Sequence, residues 1–209
     1  MTPGFHWTLR PSVKEDDPVL KAFPAELPLL VKQLLLQRGF TGGMETELFL
    51  DPRLSHLSDP FLMGEMRAAV DRIFRAVDEG ETVCIYGDYD VDGVTSVALL
   101  RAILMAYDLD PQYFIPVRSR EGYGLSEAGI KRCLCECADP PSLLITVDCG
   151  TSSVKEVDML NSLGIDVIIL DHHEAGPLGR PDAAAVVNAK IEENSPYTYL
   201  CSAGVVFKL

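Results

Sequence analysis

Short apolar runs alternate with longer segments of helical periodicity from residue 83 to residue 188. The short runs predict β-strands, and apolar residues spaced three and four apart predict helices that cover a sheet. The predicted strands are 83–87, 112–117, 143–148, 166–171 and 184–188, and the predicted helices are 94–107, 125–138 and 151–163. This alternation predicts an α/β fold with a doubly wound, mainly parallel sheet.

The first 80 residues follow a helical pattern instead. A leucine-rich segment at 27–37 ends near Gly39, a shorter segment follows at 43–50, and apolar residues at helical spacing mark 60–79. We therefore expect two regions, a helical leader at 1–80 that packs on the sheet and an α/β domain at 81–209.

Three of the predicted strands end in side chains of the kinds that bind metal ions. Three carboxylates follow the first strand at alternate positions, and they repel one another unless a cation neutralises them. Because the C-terminal ends of parallel strands lie along one edge of a sheet, groups from separate strands should converge there. These groups are Asp88, Asp90 and Asp92 after the first strand, Asp148 after the third, and Asp171, His172 and His173 after the fourth.

Mixed carboxylate and imidazole ligands suit Mn²⁺ or a similar ion. Two ions that share a carboxylate would activate a water and stabilise a phosphoryl transition state. Each group also has a simpler explanation: the acidic turn could be a solvated loop, Asp148 could cap a helix, and the two histidines could be a surface pair. The coincidence of three such strand ends favours the metal site.

The net charge of the chain limits the kinds of ligand that it can bind. A net charge of −13 over 209 residues argues against a general surface for polyanions, because phosphate affinity comes mostly from clustered lysine and arginine. Residues 111–132 are locally cationic, and within them Arg118 is the residue we expect to contact phosphate. The alternative is a solvated loop with a charged rim. The predicted helix starts after Gly93 and Gly150 could also offer N–H groups to a phosphate.

The hydropathy pattern gives no sign of export. The opening MTPGFHWTLRPS lacks the basic and apolar parts of a signal peptide, and no run approaches the ~18 apolar residues of a membrane span. We expect a cytoplasmic protein with six reduced cysteines. Cys133, Cys135 and Cys137 lack the two-residue gap of a zinc knuckle.

Several of these stretches resemble known motifs. DYDVDG at 88–93, VD at 147–148 and DHH at 171–173 resemble the DHH phosphoesterase superfamily. IPVRSREGYGLS at 115–126, CSAGVVFKL at 201–209 and LLLQRGFTGGMETELFLD at 34–51 resemble its bacterial single-stranded-DNA-specific exonucleases. The resemblance covers nearly the whole chain.

The resemblance implies a DHH phosphoesterase domain that uses two divalent ions, Mn²⁺ or Mg²⁺. It also implies a 5′→3′ exonuclease acting on single-stranded DNA in repair and recombination. It implies a monomer that does not associate with a membrane. The candidate protein partners are a single-strand-binding protein and a helicase. The resemblance implies that the catalytic residues are Asp148, His172 and His173. It implies metal ligation by Asp88, Asp90, Asp92, Asp148 and His172, with Asp148 bridging the two ions. It implies that the substrate contacts are Arg118, Tyr123 and His173, with His173 as a hydrogen-bond donor to the scissile phosphate.

Two departures from the family pattern matter. Some members have a histidine ligand where this chain has Tyr86, so Asp88 would supply the missing donor. Family members also continue beyond the position of Leu209 to one more ligand and to domains that grip DNA. We therefore expect a domain truncated at its C-terminal end, with weak metal and DNA binding and no nuclease activity of the 209-residue chain alone.

Two other functions fit parts of the pattern. One is a phosphoesterase for short oligonucleotides, cyclic dinucleotides or pyrophosphate, against which the EGYGL segment argues. The other is a catalytically silent scaffold, like the related component of the eukaryotic replicative helicase. The retained carboxylates and both histidines argue against a silent scaffold.

Overall fold

The computed structural model describes residue 8 and residues 12–209, and the chain divides into two compact units at residues 58 and 59. Most of the opening segment considered for a signal peptide therefore lies outside the described residues. Within the described part, no helix combines the length and the apolar character needed to cross a bilayer.

The first unit is helical. It contains α1 (Leu29–Gln37) and α2 (Met44–Leu50), together with short 3₁₀ helices at Pro18–Ala22 and Leu54–His56. Both predicted α-helices of this part are confirmed. Inside the unit the rings of Phe40 and Phe49 stack with centroids 4.5 Å apart.

The second unit is built around a five-stranded sheet. Its strands are β1 (Val83–Tyr86), β2 (Gln112–Phe114), β3 (Leu143–Val147), β4 (Asp166–Leu170) and β5 (Ala185–Val187). The order is β2-β1-β3-β4-β5 and every neighbouring pair is parallel, which confirms the predicted doubly wound sheet. The second strand is shorter than predicted, because Pro116 has no N–H with which to extend a ladder.

Helices cover both faces of the sheet. They are α3 (Met66–Glu79), α4 (Val91–Ala106), α5 (Arg118–Glu121), α6 (Glu127–Glu136), α7 (Val154–Ser162) and α8 (Ser202–Lys208), with 3₁₀ turns at Pro60–Leu62 and Ala189–Ile191. Alternate strand residues enter opposite layers: Val83 and Ile85 pack with α3, α4 and α8, whereas Cys84 and Tyr86 pack with α6 and α7. Because both faces are covered, the strands read as continuous apolar runs.

Two helix starts differ from the prediction and change the site. Helix α4 begins at Val91 rather than at residue 94, because Oδ1 of Asp90 accepts a 3.0 Å hydrogen bond from the N–H of Gly93 and so caps the helix. A Cβ at Gly93 would collide with the backbone of Asp88, so the turn and the helix can approach this closely only with glycine there. Helix α7 begins at Val154, three residues after the predicted start, and leaves Thr151 in a turn.

At the opposite edge of the sheet, an arginine ties α3 to the starts of two strands. The guanidinium of Arg72 lies 2.7 Å from a carboxylate oxygen of Glu81 and 2.6 Å from one of Asp166. The Arg72 side chain is only 7% exposed, so few waters can replace these partners.

We predict that Arg72→Ala lowers the free energy of unfolding by about 3–5 kcal/mol, since it leaves the largely buried Glu81 carboxylate without its cation. Arg75→Ala is the matched control, because Arg75 is half exposed and its one ion pair within the described residues is with Asp166; its cost should stay below about 1 kcal/mol. Urea denaturation of both variants measures the difference. Equal losses in the two variants would contradict the assignment.

Candidate metal centre

The turn after β1 carries two carboxylates in different environments. Asp88 is 1% exposed; its Oδ1 accepts a 2.8 Å hydrogen bond from the N–H of Tyr89, while its Oδ2 is buried without a hydrogen-bond partner among the described residues. Burial raises the pKa of Asp88, and the nearby charge of Asp90 adds to the rise. The N–H of Gly93 lowers the pKa of Asp90, which is therefore the more readily ionised of the two.

The turn after β3 places Asp148 beside them. Asp148 has a left-handed backbone with φ of 62°, which is uncommon for a residue other than glycine and is concentrated at functional sites. Its N–H continues the ladder by donating to the carbonyl of Leu170 at 3.0 Å. Its carboxylate is buried, and Oδ1 has no hydrogen-bond partner among the described residues.

Asp148 is the most perturbed carboxylate of the site. Burial, followed by the charges of Asp92 and Asp90, raises its pKa to about 8. The charge of His173 lowers the pKa of Asp148 and offsets only part of this rise. The group therefore requires a further cation in order to ionise fully at neutral pH.

His172 and Asp92 complete this side of the site. The Nε2 atom of His172 lies 3.2 Å from Oδ1 of Asp148 and 3.5 Å from Oδ2 of Asp92. The two oxygens of Asp92 accept hydrogen bonds of 2.8 Å from the N–H groups of Ser202 and Ala203, which open α8. The last helix of the chain therefore fixes the carboxylate of the first motif.

His173 is held by a different carboxylate. Its Nδ1 lies 2.7 Å from Oδ1 of Asp171, and its Nε2 lies 3.0 Å from the hydroxyl of Tyr123. Asp171 also accepts hydrogen bonds from the backbone N–H groups of Thr151, His172 and His173. Burial opposes its ionisation, but the hydrogen bonds from His173 and Thr151 lower the pKa of Asp171 to about 2. In return, Asp171 raises the pKa of His173.

The structure thus brings the predicted residues into two overlapping groups. Ligand atoms of Asp88, Asp90 and Asp148 lie within 4.8 Å of one another, and so do those of Asp148, His172 and His173. Asp148 belongs to both groups, as a bridging carboxylate would. Asp88 Oδ2 and Asp148 Oδ1 are buried and accept no hydrogen bond in the described chain, and Asp148 Oδ1 has only the Nε2 of His172 nearby, at 3.2 Å. These oxygens, together with the imidazoles, fit hard or borderline divalent ions.

Some predicted features take other roles. Tyr86, at the position of the histidine in some family members, is fully buried and donates to the carbonyl of Gly124 at 3.2 Å, away from the carboxylates. Asp171 lies outside both ligand groups and positions His173. Asp90 engages the N–H of Gly93 in the first turn of α4, and α7 begins three residues after the predicted start, so the two helix starts differ from those predicted to face a phosphate.

The basic side chains of residues 111–132 also differ in their surroundings. Lys131 pairs with Glu127 at 2.6 Å and Arg132 with Glu121 at 3.0 Å, whereas Arg118 forms no ion pair with any described residue. The guanidinium of Arg118 lies 5.5 Å from the ring centroid of Tyr89, and the ring of Tyr89 meets that of Tyr123 edge to face at 6.4 Å. Sequence reasoning missed Tyr89, although its place between two aspartates that were predicted as ligands was a usable signal.

The parallel sheet and the acidic and histidine groups at its edge are typical of DHH-type proteins. Comparison with known sequences shows that the chain belongs to the DHH family, because the N-terminal domain of that family matches residues 82–209. It is 40% identical over 199 residues to the single-stranded-DNA-specific exonuclease RecJ of Bacillus subtilis, a match that covers 94% of this chain and 25% of that protein. It is 35% identical over 190 residues to the RecJ of Escherichia coli, with 89% and 31% covered.

A solved structure extends the likeness to the fold. RecJ from Thermus thermophilus in complex with Mn²⁺ superposes with a TM-score of 0.66 at 29% identity, over 88% of this chain and 24% of that one. The chain spans about a quarter to a third of the length of these relatives.

We predict that Asp148→Asn weakens Mn²⁺ binding at least ~100-fold, measured by calorimetry, because it removes the carboxylate that both candidate ligand groups contain. Without metal, the same variant should be more stable than the parent at pH 8, by roughly 2–4 kcal/mol. The folded pKa of Asp148 lies above its unfolded value, so the metal-free parent loses stability as pH rises from about 4 to about 8; the variant has no such carboxylate.

The control is Asp78→Asn, which removes an exposed carboxylate of α3. It should change neither Mn²⁺ affinity nor the pH profile of thermal unfolding. An Asp148→Asn variant that is less stable than the parent at pH 8 without metal would show that Asp148 is a structural group.

Proposed function

We propose that this chain forms the metal-binding catalytic part of a 5′→3′ exonuclease that hydrolyses single-stranded DNA in repair and recombination. The observation that carries the proposal is the pair of ligand groups that share Asp148, each lined by a buried oxygen without a hydrogen-bond partner in the described chain. The names of the relatives and the Mn²⁺ complex of one of them support the same activity.

Two divalent ions, Mn²⁺ or Mg²⁺, would be held here. Asp88, Asp90 and Asp148 form one group of ligands, and Asp148 and His172 form the other, with Asp92 at 3.5 Å from that histidine. When bound, such ions lower the pKa of a water and neutralise charge on a phosphoryl oxygen. The protein's own part is to keep these acidic and imidazole groups at fixed positions on rigid strand ends and helix starts.

His173 acts as a hydrogen-bond donor to the scissile phosphate. The Asp171 carboxylate holds Nδ1 and raises the pKa of the imidazole, which favours the protonated ring, the form that carries an N–H at Nε2 as well. The Tyr123 hydroxyl occupies the partner position at 3.0 Å and would be replaced by a phosphate oxygen. Asp171 is therefore a positioning residue.

Arg118, Tyr89 and Tyr123 form one side of the approach to the carboxylates. Burial raises the pKa of Asp88, and the positive charge of Arg118 offsets a small part of that rise. A guanidinium next to aromatic rings suits a single strand, since it pairs with phosphate while the rings stack with bases. The chain's acidic remainder then restricts DNA binding to this segment.

We place the protein in the cytoplasm as a monomer, with a single-strand-binding protein or a helicase as its partner at DNA ends. The support is the resemblance to DNA-processing relatives.

The activity is tested with DNA strands of one sequence labelled at the 5′ or the 3′ end, supplied with Mn²⁺ and the longest purifiable form of the protein. We expect 5′ label to appear as mononucleotide from the first time point, and 3′ label to appear as a ladder of shortening strands. A blunt duplex should resist. Asp148→Asn protein serves as the control for contaminating nuclease.

A length series separates this proposal from its alternatives. Faster hydrolysis of dinucleotides or cyclic dinucleotides than of long strands would indicate a phosphoesterase for short substrates. Binding of Mn²⁺ and DNA without any hydrolysis would indicate a silent scaffold. Release of 3′ label first would overturn the polarity.

We also predict that Arg118→Ala raises the KM for single-stranded DNA about 10- to 100-fold, which corresponds to the loss of one charge-assisted phosphate contact. Arg120→Ala is the matched control: Arg120 lies on the same helical turn, is also exposed and has no aromatic neighbour among the described residues. It should change KM less than about twofold. Steady-state assays at several salt concentrations compare the two, and equal effects would remove Arg118 from the substrate path.

A further inference from the structure

Three cysteines meet on the face of the sheet that α6 and α7 cover. Cys84 comes from β1, Cys133 from α6 and Cys137 from the residue that ends this helix. Their sulfur atoms all lie within 4.8 Å of one another, and those of Cys84 and Cys133 are 3.6 Å apart. Cys135 lies between two of them in sequence, yet it is exposed and outside the group.

The separation of the sulfurs fits metal coordination. In a tetrahedral site with Zn–S bonds of ~2.3 Å, two thiolates lie about 3.8 Å apart. Cys84 and Cys133 already have nearly that spacing, whereas a disulfide would require ~2.05 Å. All six cysteines are free, so the three thiols are available as ligands.

One side of the group is open. Cys133 and Cys137 line a cavity of about 340 Å³ that also contacts Glu136 and Gln112. The Gln112 amide is engaged with the backbone of 138 and 139, and Glu136 pairs with Arg132. A water from this cavity can therefore take a fourth position, since its volume far exceeds the ~30 Å³ that one water occupies.

We propose that Cys84, Cys133 and Cys137 bind one thiophilic divalent cation of the Zn²⁺ class, with water as the fourth ligand. The three thiols release their protons to solvent when the cation binds. The close contact with Cys84 lowers the pKa of Cys133, whereas the pKa values of Cys84 and Cys137 are raised, so the cation has to displace protons from both of these thiols. Thiolate ligands discriminate against Mn²⁺ and Mg²⁺, so this site is chemically separate from the carboxylate centre.

The bound cation would join α6 to β1. Cys84 lies four residues before Asp88 on the strand that leads into the acidic turn, and the Tyr86 hydroxyl contacts the loop before α6. The site therefore braces the strand that positions the first carboxylates. We expect it to stabilise the chain rather than to take part in hydrolysis.

The reduced chain is titrated with Cd²⁺ in the presence of excess Mg²⁺, and the sulfur-to-cadmium charge-transfer absorption, which carboxylate and imidazole ligands do not give, is followed. We expect this band to saturate at one Cd²⁺ per chain. Cys137→Ser should lower Cd²⁺ affinity at least about tenfold and weaken the absorption band. Cys135→Ser, the matched control on the same helix end, should behave like the parent.

A second measurement needs no variant. Zn²⁺ should protect Cys137 from alkylation in the parent while Cys135 and Cys201, both exposed, still react. Absence of the charge-transfer band, equal affinity in Cys137→Ser and parent, or loss of binding in Cys135→Ser would each overturn the site and leave the three thiols as core packing.

Discussion

The mutual repulsion of carboxylates at one sheet edge is the constraint on which the rest of this structure depends. Asp148 lies buried beside Asp90 and Asp92. These surroundings raise its pKa to about 8, because without a cation the ionised carboxylate is unfavourable there. The fold tolerates this cost because stability is supplied elsewhere: by apolar layers on both faces of the sheet and by the Arg72 ion pairs at the opposite edge. The candidate metal centre and the Arg72 ion pairs thus lie at opposite edges of the same sheet.

Two kinds of carboxylate result from this arrangement. Asp171 is buried as deeply as Asp148, but four N–H donors satisfy it and keep its pKa low. Asp148 lacks such donors, and Asp88 has one. The contrast separates a carboxylate that orients a histidine from carboxylates suited to metal ions, although all three follow parallel strands.

The sequence predicted the sheet because its strands are buried on both faces and read as unbroken apolar runs. It also predicted which strand ends converge, since parallel topology requires it. The four-residue helix α5 is too short to show a periodicity in the sequence. The early start of α4 depends on the Asp90 cap, which the apolar periodicity that begins at residue 94 does not reveal. The left-handed backbone of Asp148 and the grouping of Cys84 with Cys133 and Cys137 depend on tertiary contacts that spacing does not reveal.

The hydrogen bonds from Ser202 and Ala203 to Asp92 have a consequence for the order of folding. They join residues 110 and 111 positions apart in sequence, so the site is among the most non-local features of the chain. Long-range contacts of this kind form after local ones, because the intervening segment must first be ordered. During synthesis, the acidic turn emerges long before the helix that fixes it. The position of Asp92 is therefore fixed late, only after the strands between it and α8 have been ordered.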